Sequence, residues 1–157
     1  EGINGQKERG LLMMLLGTGG MAGTALSGFI SNWIGRRKTL LLAFAGCFAG
    51  SYLLFKTNAA FSSLVFTETM LLALFFGISQ GVLMVYIPEL FPTLVRSTAT
   101  GVCFNVGRIV TAVAVFFVGI LVPVLGGYGS AIFTFSFMYL IGFAVALFGP
   151  ETKGTVL

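Results

Sequence analysis

Apolar residues fall in blocks of membrane length along this chain, and the polar residues between them gather at a few short points. A transmembrane helix takes about 20 mostly apolar residues, within a range of roughly 17–25. Residues 11–34 form the first block, free of charge, rich in Gly and Ala, and closed by Gly35, Arg36, Arg37 and Lys38. The second block, 39–55, stops at Lys56, Thr57 and Asn58. It is short, so it either begins inside the basic cluster with its lysine snorkelling or tilts little. The third, 61–87, holds one carboxylate, Glu68, and ends at Pro88 and Pro92, which cannot continue a helix ladder. The fourth, 97–122, carries Arg108 within it and gives way to Pro123 and a turn of Gly126, Gly127, Tyr128 and Gly129. The fifth, 130–148, ends at Gly149 and Pro150. The pattern predicts an all-α integral membrane protein of five spans. Residues 1–10 are read as a polar loop, 11–149 as the transmembrane helical domain and 150–157 as a polar tail.

Composition agrees with the blocks. Hydrophobic residues make up 57% of the 157 and charged residues only 9%, against about 25% charged in a soluble domain. The net charge of +4 is spread among loops, which argues against a nucleic-acid partner. The basic residues instead read as topology signals. Arg36, Arg37, Lys38, Arg96 and Lys153 fall on one side of the membrane, and Lys7, Arg9 and Lys56 on the other. The richer side is assigned to the cytoplasm, which puts the C-terminus inside.

The absence of His and Asp removes Ser-His-Asp and Cys-His sites and most metal sites, so neither enzyme chemistry nor a cofactor is expected. Cys47 and Cys103 lie in apolar runs and are read as packed free thiols. Small residues recur at four-residue spacing in Gly19 and Gly23, Gly46 and Gly50, and Gly77 and Gly81. Such pairs let helix backbones approach closely in lipid. The other reading is that they let helices rock or make room for a substrate.

Three polar clusters stand at the block ends. The first is GFISNWIGRRK, residues 28–38, in which Gly28 permits close helix contact and Gly35 can end the helix in a left-handed conformation. The arginines then sit where the helix dipole favours cations. The second is PELFPTLVR, residues 88–96, whose Glu89 and Arg96 can pair with each other, pair with neighbouring loops, or stand as separate interfacial charges. The third is PETKG, residues 150–154, with Glu151 and Lys153 directly after the last block.

Taken together, and in this order, the three resemble the major facilitator superfamily of secondary transporters over nearly the whole chain. Gly28, Gly35, Arg36 and Arg37 match the loop motif G-x-x-x-D-x-x-G-R-R/K, with Asn32 at the aspartate position. Glu89 and Arg96 match the charged members of the motif linking the tenth and eleventh helices, and Glu151 the tail motif of sugar porters and related branches. The resemblance implies that the five spans are helices eight to twelve of a twelve-helix fold. Residues 1–10 would be a remnant of the outer loop after helix seven, and the N-terminal half of the same protein would be missing. It also implies a multi-pass protein of the plasma (inner) membrane with the lipid bilayer as its surroundings. The activity implied is alternating access, in which a cytoplasmic latch of Arg36, Arg37, Glu89, Arg96 and Glu151 holds the inner side closed. The cargo would be a small polar solute, an organic acid, other metabolite or sugar, with a proton as the coupling ion. A truncated, non-transporting membrane sensor or inactive fragment is the competing reading.

Candidates for the substrate or proton path are the polar residues inside the blocks. Arg108 lies about eleven residues into its helix, roughly 16 Å along the axis. It either anchors an anion or pairs with a carboxylate or backbone carbonyls. Asn105, three residues before it, shares its face. Gln80 and Met84 share another face, from which Tyr86 points away. Glu68 is a proton or cation site, or a charge at the outer interface. True sugar porters commonly read G-P-x-P-W-x-Y here. Gln80, Gly81, Leu83 and Met84 depart from that pattern while Tyr86 keeps it, which favours an organic acid over a hexose.

Overall fold

The computed structural model describes residues 2–57 and 64–154. Glu1, the expected start of the third block at residue 61, and the tail beyond Gly154 lie outside the described residues. Five helices account for nearly all of the described chain: α1 (Gly2–Ile34), α2 (Arg36–Tyr52), α3 (Leu64–Glu89), α4 (Arg96–Val124) and α5 (Tyr128–Phe148). All five are long and apolar enough to cross a membrane.

Their ends differ from the sequence expectation in physically readable ways. Residues 2–10, expected as a loop, continue α1, which reaches 33 residues. Gln6, Lys7, Glu8 and Arg9 are good helix formers, so nothing stops the hydrogen-bond ladder where the apolar block stops. At 1.5 Å per residue α1 is about 50 Å long and outreaches a hydrocarbon core of about 30 Å. The second helix begins inside the basic cluster, at Arg36, and ends in one wider π turn over Leu53–Thr57. Pro88 does not end α3 but sits in its last turn, where only one ladder hydrogen bond is lost. Pro123 is placed the same way in α4.

Helix contacts follow the small residues. α1 packs on α3, and α2 on both α3 and α5. A side chain at Gly19 would press on Ala73 and Met70, one at Gly23 on the Leu74 carbonyl, and one at Gly77 on the Gly20 carbonyl. Gly46 leaves room for the Phe75 ring and Gly50 for Leu72. All three glycine pairs are therefore packing surfaces. Thr24 adds a weak polar tie between the helices, its one hydroxyl proton shared between Gly20 O at 2.8 Å and Gly77 O at 3.3 Å. Edge-to-face rings join α2 to α5, with Phe48 and Phe137 centroids 5.7 Å apart and Tyr52 and Phe133 at 6.1 Å. The buried core runs through Leu40, Ala43, Ile78, Val82, Tyr86 and Ala146, on α2, α3 and α5. By contrast, among the described residues α4 touches only α3 and α5, and it has no buried residue.

Candidate functional site

The sharpest local geometry is the joint between α1 and α2, a single residue. Gly35 has φ 110° and ψ 154°, not the left-handed helical conformation expected but a more extended region open essentially to glycine alone. Its N–H donates to Ser31 O at 3.0 Å, while its carbonyl accepts from Thr39 N at 3.1 Å and from Thr39 Oγ1 at 2.7 Å. The joint is bonded into both helices. Immediately after it, the Arg36 N–H donates to Glu151 Oε1 at 2.8 Å. This is a carboxylate at a helix N-terminus, where free N–H groups and the helix dipole favour negative charge. A Cβ at position 35 would stand 2.7 Å from Glu151 Oε2, so only glycine lets the carboxylate in this close.

The rest of the tail is tied down around that contact. Lys153 Nζ donates to Trp33 O at 2.8 Å, placing a cation at the C-terminal end of α1. Tyr86 OH donates to Pro150 O at 2.7 Å, and Thr152 Oγ1 donates to Glu89 Oε2. The other oxygen of Glu89 pairs with Arg36 Nη2 at 3.3 Å, the two side chains being 17% and 15% exposed. The opposite edge of the same guanidinium donates to Asn32 Oδ1, four residues back on α1. Arg36 therefore joins three segments: α1 through Asn32, α3 through Glu89 and the tail through Glu151. Exposed ion pairs are worth about 0–1 kcal/mol. This one is largely shielded and carries additional hydrogen bonds, and removing one partner of a fully buried pair costs about 3–5 kcal/mol.

Not all of the expected latch comes together here. Arg37 reaches no carboxylate among the described residues; its Nη2 donates to Leu147 O at the end of α5. Arg96 does not pair with Glu89. The turn over residues 90–95 carries it back onto Phe91 O, to which its Nε donates at 3.3 Å, while its Nη2 is buried without a partner among the described residues. Glu89 is already engaged by Arg36 and Thr152. Gly28, expected to allow a close helix contact, has nothing within 4 Å of a Cβ built there. Tyr86, expected along the substrate path, is buried and committed to the tail. Sequence reasoning missed Thr152 and the tail role of Tyr86. A signal was present, since Tyr86 lies three residues before Glu89 on the same helix.

Asn32 stands in as a neutral acceptor where the loop motif carries an acid. Asn32→Asp is expected to stabilise the cluster by about 1 kcal/mol, the difference between a charge-assisted and a neutral hydrogen bond. Thermal unfolding at low and high salt checks this. The gain should appear at low salt and shrink as salt is added, and an unchanged midpoint at low salt counts against it.

Of the other candidates, Gln80 lines a polar-edged cleft, and Tyr86 borders an apolar one between α2, α3 and α5. A cleft of about 690 Å³ lies halfway along α1 and α3, with Met21 and Phe76 as walls, Gly20 and Gly77 as floor, and Thr24 and Gln80 as its polar groups. Gln80 is exposed and its amide makes no hydrogen bond among the described residues. Met84 shares its exposed face, 57% accessible, whereas Tyr86 is turned inward. Asn105 Nδ2 donates to Gly101 O at 2.7 Å on its own helix. Arg108, exposed on α4, makes no hydrogen bond or ion pair among the described residues. Glu68 is half-buried in the second turn of α3. The structure thus brings Arg36, Glu89 and Glu151 together and leaves Glu68, Gln80, Asn105 and Arg108 apart.

Five membrane-length helices make this a multi-pass membrane protein, and the charge cluster at one end ties α1, α2 and α3 to the tail. The family model described as sugar (and other) transporter matches residues 4–157, and the chain belongs to that family. The chain is 34% identical over 155 residues to a probable 4-methylmuconolactone transporter of Cupriavidus pinatubonensis, covering 92% of this chain and 34% of that protein. It is 32% identical over 115 residues to a cis,cis-muconate transport protein of Acinetobacter baylyi, with 73% of this chain and 27% of that one covered. A glucose transporter of Staphylococcus epidermidis is 32% identical over 155 residues, with 90% and 33% covered. The chain spans about a third of the length of the curated relatives it matches, 34% and 33% of two of them.

Proposed function

We propose that this chain is part of a secondary active transporter that moves a small organic acid, related metabolite or sugar by alternating access, coupled to protons. In such transporters two helical bundles rock about a site near the bilayer midplane, so one end must close while the other opens. The tail cluster carries the reading. One residue, Arg36, holds α1 and α3 through its guanidinium, on Asn32 and Glu89, and the tail through its backbone N–H, on Glu151. It is an arrangement that can be broken as a unit. The excess of Lys and Arg at this end favours the cytoplasmic side of the inner membrane, which makes the cluster an inner latch. Relatives named for a muconolactone and for muconate support an organic acid as cargo, and Arg108, a cation inside a span, is suited to an anion.

Glu89→Gln tests the latch. Removing the charge of a shielded pair is expected to shift the balance between closed and open states by about 1.4 kcal/mol or more, roughly tenfold in population. Uptake into vesicles should fall several-fold while the amount of inserted protein stays the same. Equal uptake at equal insertion rejects the latch.

A further inference from the structure

The tail after α5 lies between two helix ends and alternates between them. Pro150 and Thr152 meet α3, through Tyr86 OH and Glu89 Oε2. Glu151 and Lys153 meet the joint of α1 and α2, through Arg36 N–H and Trp33 O. An extended chain gives this alternation, because successive residues face opposite sides. Gly149 opens the segment in extended backbone, and its missing side chain admits Tyr86, whose OH a Cβ there would meet at 2.5 Å.

Donors and acceptors are unevenly matched around Glu89. Its carboxylate accepts from both Arg36 and Thr152. Arg96, across the turn that follows α3, meets no carboxylate among the described residues. Its Nε holds only Phe91 O, a long bond at 3.3 Å to the second residue after Glu89, and its Nη2 is buried without a partner among the described residues. A buried donor left unmade is costly, and each such group calls for an account.

We propose that Glu89 exchanges partners, from Arg36 to Arg96, when the tail lifts. With the tail seated, Thr152 holds the carboxylate on Arg36, and Tyr86 holds Thr152 in place through Pro150. Both are positioning residues for the latch. Once the tail leaves, Glu89 loses Thr152 and turns to the unmade donor of Arg96. One charge-assisted bond replaces another, so the latch opens without stranding a shielded carboxylate. A side chain with two discrete arrangements switches between them rather than yielding gradually. The exchange rests on reading this cluster as an inner latch, and it names the partner for the open state.

Tail release can be read directly with trypsin. Cleavage after Lys153 requires its Nζ to leave Trp33 O, so the rate follows the population of lifted tail. The full-length protein in nanodiscs, with both faces open to protease, is digested briefly and the cut quantified by mass. Thr152→Val should raise the rate about tenfold, the effect of one hydrogen bond to a charged group, and Thr152→Ser should restore it. Tyr86→Phe, which keeps the ring, should raise it several-fold. Arg96→Gln carries the decisive sign. It should lower the rate several-fold, because the lifted state loses its partner, whereas a merely structural arginine would raise it or leave it unchanged. Arg96→Lys, which keeps the charge but loses the fork, should lower it less. In a Glu89→Gln background, Arg96→Gln should have no effect. A rate unchanged or raised by Arg96→Gln, or lowered equally with and without the Glu89 carboxylate, overturns the exchange. If the cleavage pattern holds while Glu89→Gln leaves uptake unchanged, the exchange stands and the latch reading falls. If uptake falls in Glu89→Gln but the cleavage pattern fails, the latch stands without the exchange.

Discussion

Replacing Gly77 by valine is expected to abolish folded protein, the largest effect of any single substitution in this chain. The added side chain would enter the space of the Gly20 backbone carbonyl, and unlike the tip of a flexible side chain a helix backbone cannot turn aside. Relief requires α1 and α3 to move apart along their shared face. That loosens the fit of Gly19 against Ala73 and of Gly23 against Leu74, and breaks the bond from Thr24 Oγ1 to Gly77 O. Overpacking a dense interior costs about 1–3 kcal/mol, and a backbone obstruction belongs at or above the top of that range. Total stabilities are only about 5–15 kcal/mol, so a loss of this size with further contacts undone suffices. In detergent, Gly77→Val should elute as aggregate or show no cooperative unfolding, while Gly28→Ala should match or slightly exceed the parent. A monodisperse Gly77→Val protein melting within about 2 °C of the parent would mean that the close approach of α1 and α3 does not hold the bundle together.

Gly35→Ala should have the second-largest effect, and it acts on two levels. A non-glycine residue in this part of φ/ψ space costs about 1–3 kcal/mol in backbone strain alone. The new methyl would also displace the Glu151 carboxylate, whose Oε2 would lie 2.7 Å away, and with it the tie from Arg36 N–H to the tail. Loss of stability and loss of latching should therefore appear together, with a lower unfolding midpoint and uptake at least as impaired as in Glu89→Gln. Adding Glu151→Ala to Gly35→Ala separates the two. If carboxylate crowding contributes, the double variant will be less destabilised than the sum of the single changes. Strict additivity would assign the whole effect to the backbone.

The spans were plain from spacing alone, because a block of about 17 or more apolar residues has few alternatives to a membrane helix. The ends were less plain, for reasons visible in particular residues. Lys7, Glu8 and Arg9 mark the end of hydrophobicity but not of helix, since charged residues with straight side chains keep the ladder going. Pro88 and Pro123 read as stops yet lie within last turns, where a missing N–H costs little. The glycine pairs were legible as packing surfaces; which helices they join was not, because that depends on how five cylinders are arranged. In the charge cluster, Arg36, Glu89 and Glu151 were recognisable by motif. Their pairing was not, because Glu89 and Arg96 are close in sequence while Glu89 and Arg36 are close only in space. Arg108 and Asn105 stay apart from the cleft because α4 turns no residue into the core that Leu40, Ile78 and Val82 define.

The one-residue joint at Gly35 also has a mechanical side. Two helices linked by a single residue cannot change their mutual angle without changing that residue's φ and ψ, and Thr39 and Ser31 grip it from both sides. The Glu151 carboxylate rests against this pivot. Any tilt of α1 relative to α2 must therefore push the tail or release it, as a door leaf moves a wedge set at its hinge. A label on the tail beside Lys153 would report that angle without touching the solute path, making the segment after α5 a place from which the motion of the bundle can be read.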